Sequence, residues 1–330
     1  MVYYIESRNT IPYHNLALEQ VVFDRFDRAH SYFMLWQNHN SIIVGKHQNT
    51  QEEINADFVK EMNVTVARRL SGGGAVYHDM GNLNFTFITD ADKTRGIDFS
   101  VFCEPISKAL RSLGVPVEIS GRNDMTVEGK KFSGNAQYIK EGRVMHHGTI
   151  LFDSDMSMLS RALKPGEDKI ESKGIKSVQS RVTNIRPYMK TGMTVAEFWT
   201  ALKGYMINAF DMEELHPEAI QDAIVKELEE KVYSQWSWNY GNSPPHTLRK
   251  ARRIEGCGKV EILLDIGREG TINSIAFYGD FFASLDPASL GEMLVGHHLE
   301  YSELKTLLTG VDVSKYFHGL DSETILSLLT

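Results

Sequence analysis

Residues 68–79 read Arg68-Arg69-Leu70-Ser71-Gly72-Gly73-Gly74-Ala75-Val76-Tyr77-His78-Asp79. Three consecutive glycines strip the side chains from one turn, so bare backbone N–H groups can come close to a ligand. The two arginines ahead of them carry planar forks suited to phosphate or carboxylate oxygens. Together they predict an anion held against backbone. A bare glycine triplet is more often a flexible turn, so the flanks decide. An Asp79-Met80-Gly81-Asn82 turn follows, and then Leu83, Phe85 and Phe87 alternate with Asn82, Asn84 and Thr86. That two-residue period marks a half-buried strand. The glycines are expected to open a β-hairpin and not to join a strand to a helix. Neither Gly-x-x-x-x-Gly-Lys followed by Ser or Thr, nor Gly-x-Gly-x-x-Gly after a strand, occurs in the chain.

The wider chain sets bounds on the chemistry. Its 330 residues lead us to expect two domains. Hydrophobic residues make up 42% and charged residues 24%, the balance of a globular protein that needs no staples. Two cysteines, Cys103 and Cys257, form no disulfide framework and fit a reducing compartment. The start, Met1-Val2-Tyr3-Tyr4-Ile5-Glu6, is not that of a signal peptide, and no apolar run is long enough to span a bilayer. A cytoplasmic monomer away from membranes is expected. A formal net charge of −8 argues against broad nucleic-acid binding. The cluster Arg249, Lys250, Arg252 and Arg253 is either a solvated strand or loop, or a docking patch for an acidic partner.

Periodicity and turn residues predict a helix over 16–29, paired strands over 32–37 and 41–45, and a helix from Thr50 to Met62 opened by a Thr50/Glu53 capping box. A short strand over 64–67 leads into the arginines, and a helix over 102–113 stops at Gly114. Short strands over 115–120 and 125–127 precede a hairpin of 131–139 with 144–152, which implies a mixed, mostly antiparallel sheet. Residues 164–187 lack periodicity, and a loop of that length is often functional. Helices are expected over 195–210 and 217–235. Asn239 to Pro245 breaks the pattern, dividing a domain of residues 1–245 from a small α+β domain of residues 246–330.

Lys131 sits in Gly129-Lys130-Lys131-Phe132-Ser133-Gly134-Asn135-Ala136, where alternation turns Lys130 and Lys131 to opposite faces. A lysine facing inward needs an anion; a lysine guarding a strand edge is the plainer alternative. His146 and His147, on the partner strand, also face opposite ways and cannot chelate one metal in a regular strand. Gly148 is expected to let a ligand approach the backbone. Cys103 lies in an apolar helical stretch and reads as core.

These residues resemble the signature of lipoate–protein ligases. The resemblance is carried by Arg68 to Asp79, by Gly121-Arg122-Asn123-Asp124, by Lys131 to Ala136, and by His146-His147-Gly148-Thr149. Lys173 to Val178 with Ser180-Arg181-Val182 is similar to the family's mobile loop. Trp238-Asn239-Tyr240-Gly241 with Ser243-Pro244 is similar to the end of its large domain. The resemblance runs the whole chain in order. It implies an α+β large domain of the biotin ligase and class II aminoacyl-tRNA synthetase type, with a C-terminal accessory domain.

The resemblance further implies an enzyme that activates lipoate with ATP and Mg2+, giving lipoyl-AMP and pyrophosphate, with no permanently bound cofactor and with metal ligands unassigned. The acyl group then passes to a lysine on lipoyl domains of 2-oxoacid dehydrogenase E2 subunits or on the glycine-cleavage H protein. Lys131 is the implied catalytic residue. Arg69, Gly74, Ala75, Val76 and Tyr77 join it in binding ATP and lipoyl-adenylate. Supporting roles fall to Arg68, Ser71, Gly72, Gly73, His78, Asn82, Asp124, His147, Gly148 and Thr149. Fixed positive charge and backbone donors suit this chemistry, because negative charge gathers as a carboxylate attacks a phosphate. Alternating faces around Leu16, Leu35, Val76 and Phe85 are expected to line an apolar slot for the acyl chain. Two alternatives compete: an ATP-independent octanoyl or lipoyl transferase with a cysteine nucleophile, and a lipoate-binding or lipoyl-domain-binding module without chemistry.

Overall fold

A computed structural model describes residues 1–90, 98–120, 123–163, 181–189, 192–215, 222–240, 248–267 and 270–330. The centre is an eight-stranded sheet in the order β11-β1-β2-β6-β10-β9-β8-β7. Its strands are β1 (Val2–Glu6), β2 (Ser31–Trp36), β6 (Asn82–Asp90), β7 (Glu118–Ser120), β8 (Asp124–Val127), β9 (Lys130–Lys140), β10 (Arg143–Leu151) and β11 (Glu213–Glu214). β1 pairs in parallel with both β2 and β11; the other five pairings are antiparallel. The expected mixed, mostly antiparallel sheet is therefore present. Among the described residues no helix is long and apolar enough to cross a membrane.

A separate three-stranded sheet, β4-β3-β5, is built from β3 (Ser41–Val44), β4 (Thr65–Arg68) and β5 (Val76–His78). It corrects two sequence expectations. β2 and β3 are not a hairpin, because they belong to different sheets. The glycines do not open a hairpin either: they carry the chain from β4 across β3 to β5, which pair with β3 on opposite sides. The stretch from Thr50 to Met62 is also not one helix. It is two short ones, Thr50–Glu53 and Ala56–Glu61, capped by the side chains of Asn49 and Asn55 in place of the expected capping box.

Strand alternation sorts the large sheet into two faces. Phe33, Leu35, Leu83, Phe85 and Phe132 pack with Cys103, Ile106 and Leu110 of helix Ser100–Ser112 and with Phe198 and Leu202 of helix Val195–Phe210. Each such fully buried side chain contributes ~1.5–3 kcal/mol. Helix Val195–Phe210 begins in a capping box between Thr194 and Glu197 and ends on Asp211 in the left-handed region. The opposite face presents Met34, Trp36, Ile88 and Met145 to helix Pro12–Arg25, which starts on Pro12, a residue preorganised for the first turn. Ile43 and Ala67 of the small sheet join this second layer, while Ile42, Val44 and Tyr77 face outward onto Phe58 and Leu159.

The C-terminal part is a three-stranded antiparallel sheet of β12 (Leu248–Ile254), β13 (Gly258–Ile266) and β14 (Ile272–Gly279), covered by helices Pro287–Leu294, Tyr301–Leu307 and Ser322–Leu329. The basic cluster lies on β12. There Arg249 reaches Glu52 at 3.1 Å and Glu261 at 2.6 Å, and Arg253 reaches Asp280, while Lys250 donates to Leu329 O and Arg252 to Ser327 Oγ. Three expectations fall outside the described residues: most of the 239–245 boundary, Gly121-Arg122, and residues 164–180 of the aperiodic stretch 164–187.

Candidate active site

A cavity of about 250 Å³ lies between the large sheet and the small one. Its floor crosses four adjacent strands. Gly134 on β9 accepts and donates through Thr149 on β10, Thr149 is in register with Asn84 on β6, and Asn84 with Trp36 on β2. Three strand spacings make this floor ~14 Å long. Lys131 and Asp124 stand at the β9 end. Leu16, Ile43 and Val76 close over the Trp36 end, so apolar side chains gather at the end away from the Lys131 amine.

Lys131 does reach the cavity. Its Nζ lies 2.6 Å from Asp124 Oδ1, with both side chains about one-third exposed. Such a half-solvated pair is weak, so an incoming anion can take the amine from Asp124. The strand backbone is tied down: Lys131 N–H donates to Arg181 O at 2.8 Å, and its carbonyl accepts from Thr183 N–H at 2.9 Å.

Both arginines are engaged by the protein itself, and Arg69 also lines the cavity. Arg69 is buried, and its guanidinium donates to the carbonyls of Ile43 (3.0 Å), Gly72 (2.7 Å) and Gly74 (2.9 Å) and to Ser71 Oγ (3.1 Å). Arg68 donates to the carbonyls of Gly45, Lys46, Gln48, Trp238 and Asn239 and to Thr50 Oγ1. Burial lowers both guanidinium pKa values to about 10, still far above neutrality. Both forks thus hold backbone carbonyls and shape the loop that lines the cavity. Gly73 needs its missing side chain: its φ is +91°, and an added Cβ would press on Arg69 and the Phe282 ring.

That contact reveals a second surprise. Gly73 N–H donates to Phe281 O, and Phe282 packs into the core of the large sheet against Phe99. Asp280 lines the cavity, although Arg253 and Lys259 N–H hold its carboxylate. The segment after β14 therefore backs the glycine loop. Nothing in its sequence pattern set it apart from an ordinary aromatic turn.

His147 faces the cavity, and His146 faces the other way into Phe85, Phe99 and Phe102. His147 Nε2 is 2.6 Å from Ser71 Oγ, and its Nδ1 is 3.1 Å from Glu19 Oε1. Thr86 donates to Glu19, and Trp36 Nε1–H donates to Thr86 at 2.9 Å. The order Ser-His-Glu has the connectivity of a hydrolytic triad, but Ser71 is 1% exposed, already receives Arg69 Nε–H, and does not line the cavity. The chain is a buried strut. Sequence reading missed Glu19; the available signal was a carboxylate among the apolar residues of helix Pro12–Arg25.

Other predicted residues sort as follows. Gly74, Ala75, Val76, His78 and Thr149 line the cavity. Gly72, Asn82 and Tyr77 do not, and the Tyr77 hydroxyl donates to Asn40 on the outer side. Gly148 lines it through backbone, but its missing side chain is not a ligand gap: an added Cβ would strike Asn135 Oδ1 at 2.3 Å and the Phe85 ring at 2.5 Å. Leu35 and Phe85 face the opposite core; one step along each strand, Trp36 and Asn84 face the cavity instead. Among the described residues no three His, Cys, Asp or Glu side chains gather to hold a metal ion. The cavity carboxylates Asp124 and Asp280 are already engaged, so these residues make no resident Mg2+ site.

Comparison with known proteins agrees with this architecture. Residues 11–207 match the lipoyl protein ligase A/B catalytic domain, and residues 243–329 match the bacterial lipoate protein ligase C-terminus. The chain is 41% identical over 330 residues to lipoate-protein ligase LplJ of Bacillus subtilis strain 168, covering 99% of each. The fold matches P. falciparum LipL1, solved with lipoate, at a TM-score of 0.80 and 23% identity, covering 99% of this chain and 97% of that one. A lipoate-protein ligase A solved with ATP matches at a TM-score of 0.59 and 25% identity, covering 73% of this chain and 98% of that one. With both family segments in order along the chain and a relative 41% identical over its length, the chain is a member of the lipoate–protein ligase family.

Proposed function

We infer that the protein joins lipoate to ATP as lipoyl-AMP and then transfers the lipoyl group to a lysine of a lipoyl domain. Acceptors of this kind are E2 subunits of 2-oxoacid dehydrogenases and the glycine-cleavage H protein. The observation that carries this reading is the Lys131 amine at one end of a slot about 14 Å long whose other end gathers Leu16, Trp36, Ile43 and Val76. A medium-length acid lying along the floor puts its tail near Trp36 and its carboxylate near Lys131.

In the first step a carboxylate oxygen attacks the α-phosphorus, and the bond to pyrophosphate breaks. Lys131 Nζ, released from Asp124, neutralises charge on the oxygens of that centre, while the backbone of Gly74 and Ala75 frames the nucleotide. In the second step the acceptor amine attacks the acyl carbon, its proton leaves to solvent, and AMP departs with the C–O bond electrons. Lys131 then faces the carbonyl oxygen as it gains charge. Magnesium would be carried on the nucleotide's phosphate oxygens, whose charge it neutralises. Catalysis is assigned to residues 1–245 and the accessory role to residues 246–330. A cytoplasmic setting accords with Cys103 and Cys257, which are buried and not joined in a disulfide.

The transferase reading finds no support in Cys103. Its side chain is wholly buried on the face away from the cavity, and burial pushes its thiol up to about 12. The test is the mass of a lipoyl domain after incubation with the protein, ATP, magnesium and lipoate. A gain of one lipoyl group that requires ATP is expected. Transfer from an acyl carrier without ATP, or no gain, would refute the assignment.

A further inference from the structure

The start of β9 is held differently from the rest of the strand. Its backbone pairing with β10 stops at Asn135, opposite Gly148. On the other side, β8 pairs with Lys131 through Thr126 and with Ser133 through Met125, so Phe132 is an extra residue on β9. A bulge of this kind leaves one residue unpaired and interrupts the ladder. Lys131 therefore stands where pairing has ended on one side and is broken next door on the other.

A second segment takes the place that β10 leaves. Val182 bridges Lys131 in parallel, with Lys131 N–H donating to Arg181 O at 2.8 Å and Thr183 N–H donating to Lys131 O at 2.9 Å. The next residue, Asn184, ties this segment to the end of β10. Its Oδ1 accepts from Ser154 N–H and its Nδ2 donates to Ser154 O, both at 2.9 Å. A backbone N–H only donates and a carbonyl only accepts, so both ends of this amide are assigned. Ser154 is itself well anchored, because the N–H groups of Phe152 and Asp153 just before it both donate to Gly81 O, at 3.0 and 2.9 Å. Neither Asn184 nor Ser154 lines the cavity.

The Lys131 side chain has no comparable hold of its own. It is 38% exposed, and its ion pair with Asp124 is one it leaves on meeting substrate. Its aim comes from the backbone on which it stands. We propose that Asn184 is a positioning residue for Lys131: through Ser154 it fixes residues 181–183, and they fix the Lys131 backbone so that the amine meets the reacting phosphate in place. The proposal rests on the ligase reading above. Stabilising charge in a transition state needs a preorganised donor, and a shift of ~1 Å in such a group costs up to ~10²-fold in rate.

The test measures pyrophosphate release dependent on lipoate and ATP, at equal folded fraction, for the unaltered protein, Asn184→Ala, Lys131→Ala and the double variant. Asn184→Ala should lower kcat by roughly 10–100-fold with little change in either KM, because the loss falls on the transition state. A merely structural amide would lower Tm and spare the kcat of the folded fraction. In the Lys131→Ala background the same substitution should cost no further kcat, since the group it aims is gone. Asn184→Asp keeps the acceptor for Ser154 N–H and loses the donor to Ser154 O. It should fall between the unaltered protein and Asn184→Ala, and it carries the comparison if the alanine variant does not fold. An unchanged kcat, a rise in KM alone, or a full further loss in the Lys131→Ala background would overturn the proposal and leave the ligase reading intact. Absence of release by the unaltered protein would instead overturn the ligase reading, and the proposal with it.

Discussion

Arg69→Lys separates two jobs that an arginine beside a glycine loop can do. If Arg69 served mainly as a cation for substrate, lysine would keep the charge and most of the activity. The structure assigns it a frame: four hydrogen bonds to Ile43 O, Gly72 O, Gly74 O and Ser71 Oγ, all from one planar fork. An ammonium group cannot reproduce that spread, so at least two buried acceptors lose their partner. At ~1–3 kcal/mol for each, the variant should lose about 3 kcal/mol. For a chain of this size that is a fall of about 4 °C in Tm. Thermal melting by circular dichroism reads the loss, and pyrophosphate release measured well below the transition reads activity of the folded fraction. A Tm unchanged within about 2 °C, together with collapsed turnover, would refute the frame and return Arg69 to the role of a direct ligand.

Lys131→Ala should cut adenylation and transfer by ~10²–10³ while leaving Tm nearly unchanged, because the side chain is part-exposed and its one ion pair is weak; near-normal pyrophosphate exchange would contradict its assignment. Acid should destabilise the fold. His78 and His47 are held down to about 3 and about 4 by burial, and His146 well below its usual value, so the unfolded chain binds more protons as pH falls below about 6.5. Each ring then costs ~2 kcal/mol at pH 5, full stability lies above pH 6.5, and a Tm flat from pH 7 to pH 5 would count against the buried neutral rings. Cys103→Ala should retain transfer to a lipoyl domain, since the thiol sits in the core away from the cavity; abolished transfer would point to a cysteine acyl-enzyme.

What could be read from the sequence was whatever depends on local period. The hairpin of β9 and β10, the inward face of Lys131, the opposed faces of His146 and His147 and the helix Val195–Phe210 all follow from alternation or capping. What could not be read depends on which strand sits beside which. β2 and β3 look like a hairpin because a short polar turn joins them, yet each finds its partners in a different sheet. The same blindness put Leu35 and Phe85 into the acyl slot. Both faces of those strands are buried, so the pattern shows two apolar sides and does not say which one meets the core. Glu19 and Phe282 reach His147 and Phe99 across 128 and 183 residues of chain, a range over which no pattern extends.

The anion expected at the glycine loop survives in altered form. The hydrogen bonds of the Arg68 and Arg69 guanidinium groups described above end on a carbonyl or a hydroxyl, that is, on an oxygen without a full charge. Two positive charges are thus held under the loop by direct hydrogen bonds to dipoles, with the Glu19 carboxylate also acting on Arg69, and their field reaches the cavity through a medium that screens poorly. Contact and field can be separated. Arg69→Met removes both the frame and the charge, whereas Arg69→Lys removes most of the frame only. If the field assists adenylation, Arg69→Met should fall below Arg69→Lys in kcat at equal folded fraction, and the gap should persist at high salt because the charge is buried. If the two variants have the same kcat, the buried charge contributes nothing to the phosphate chemistry, and Lys131 alone carries that load.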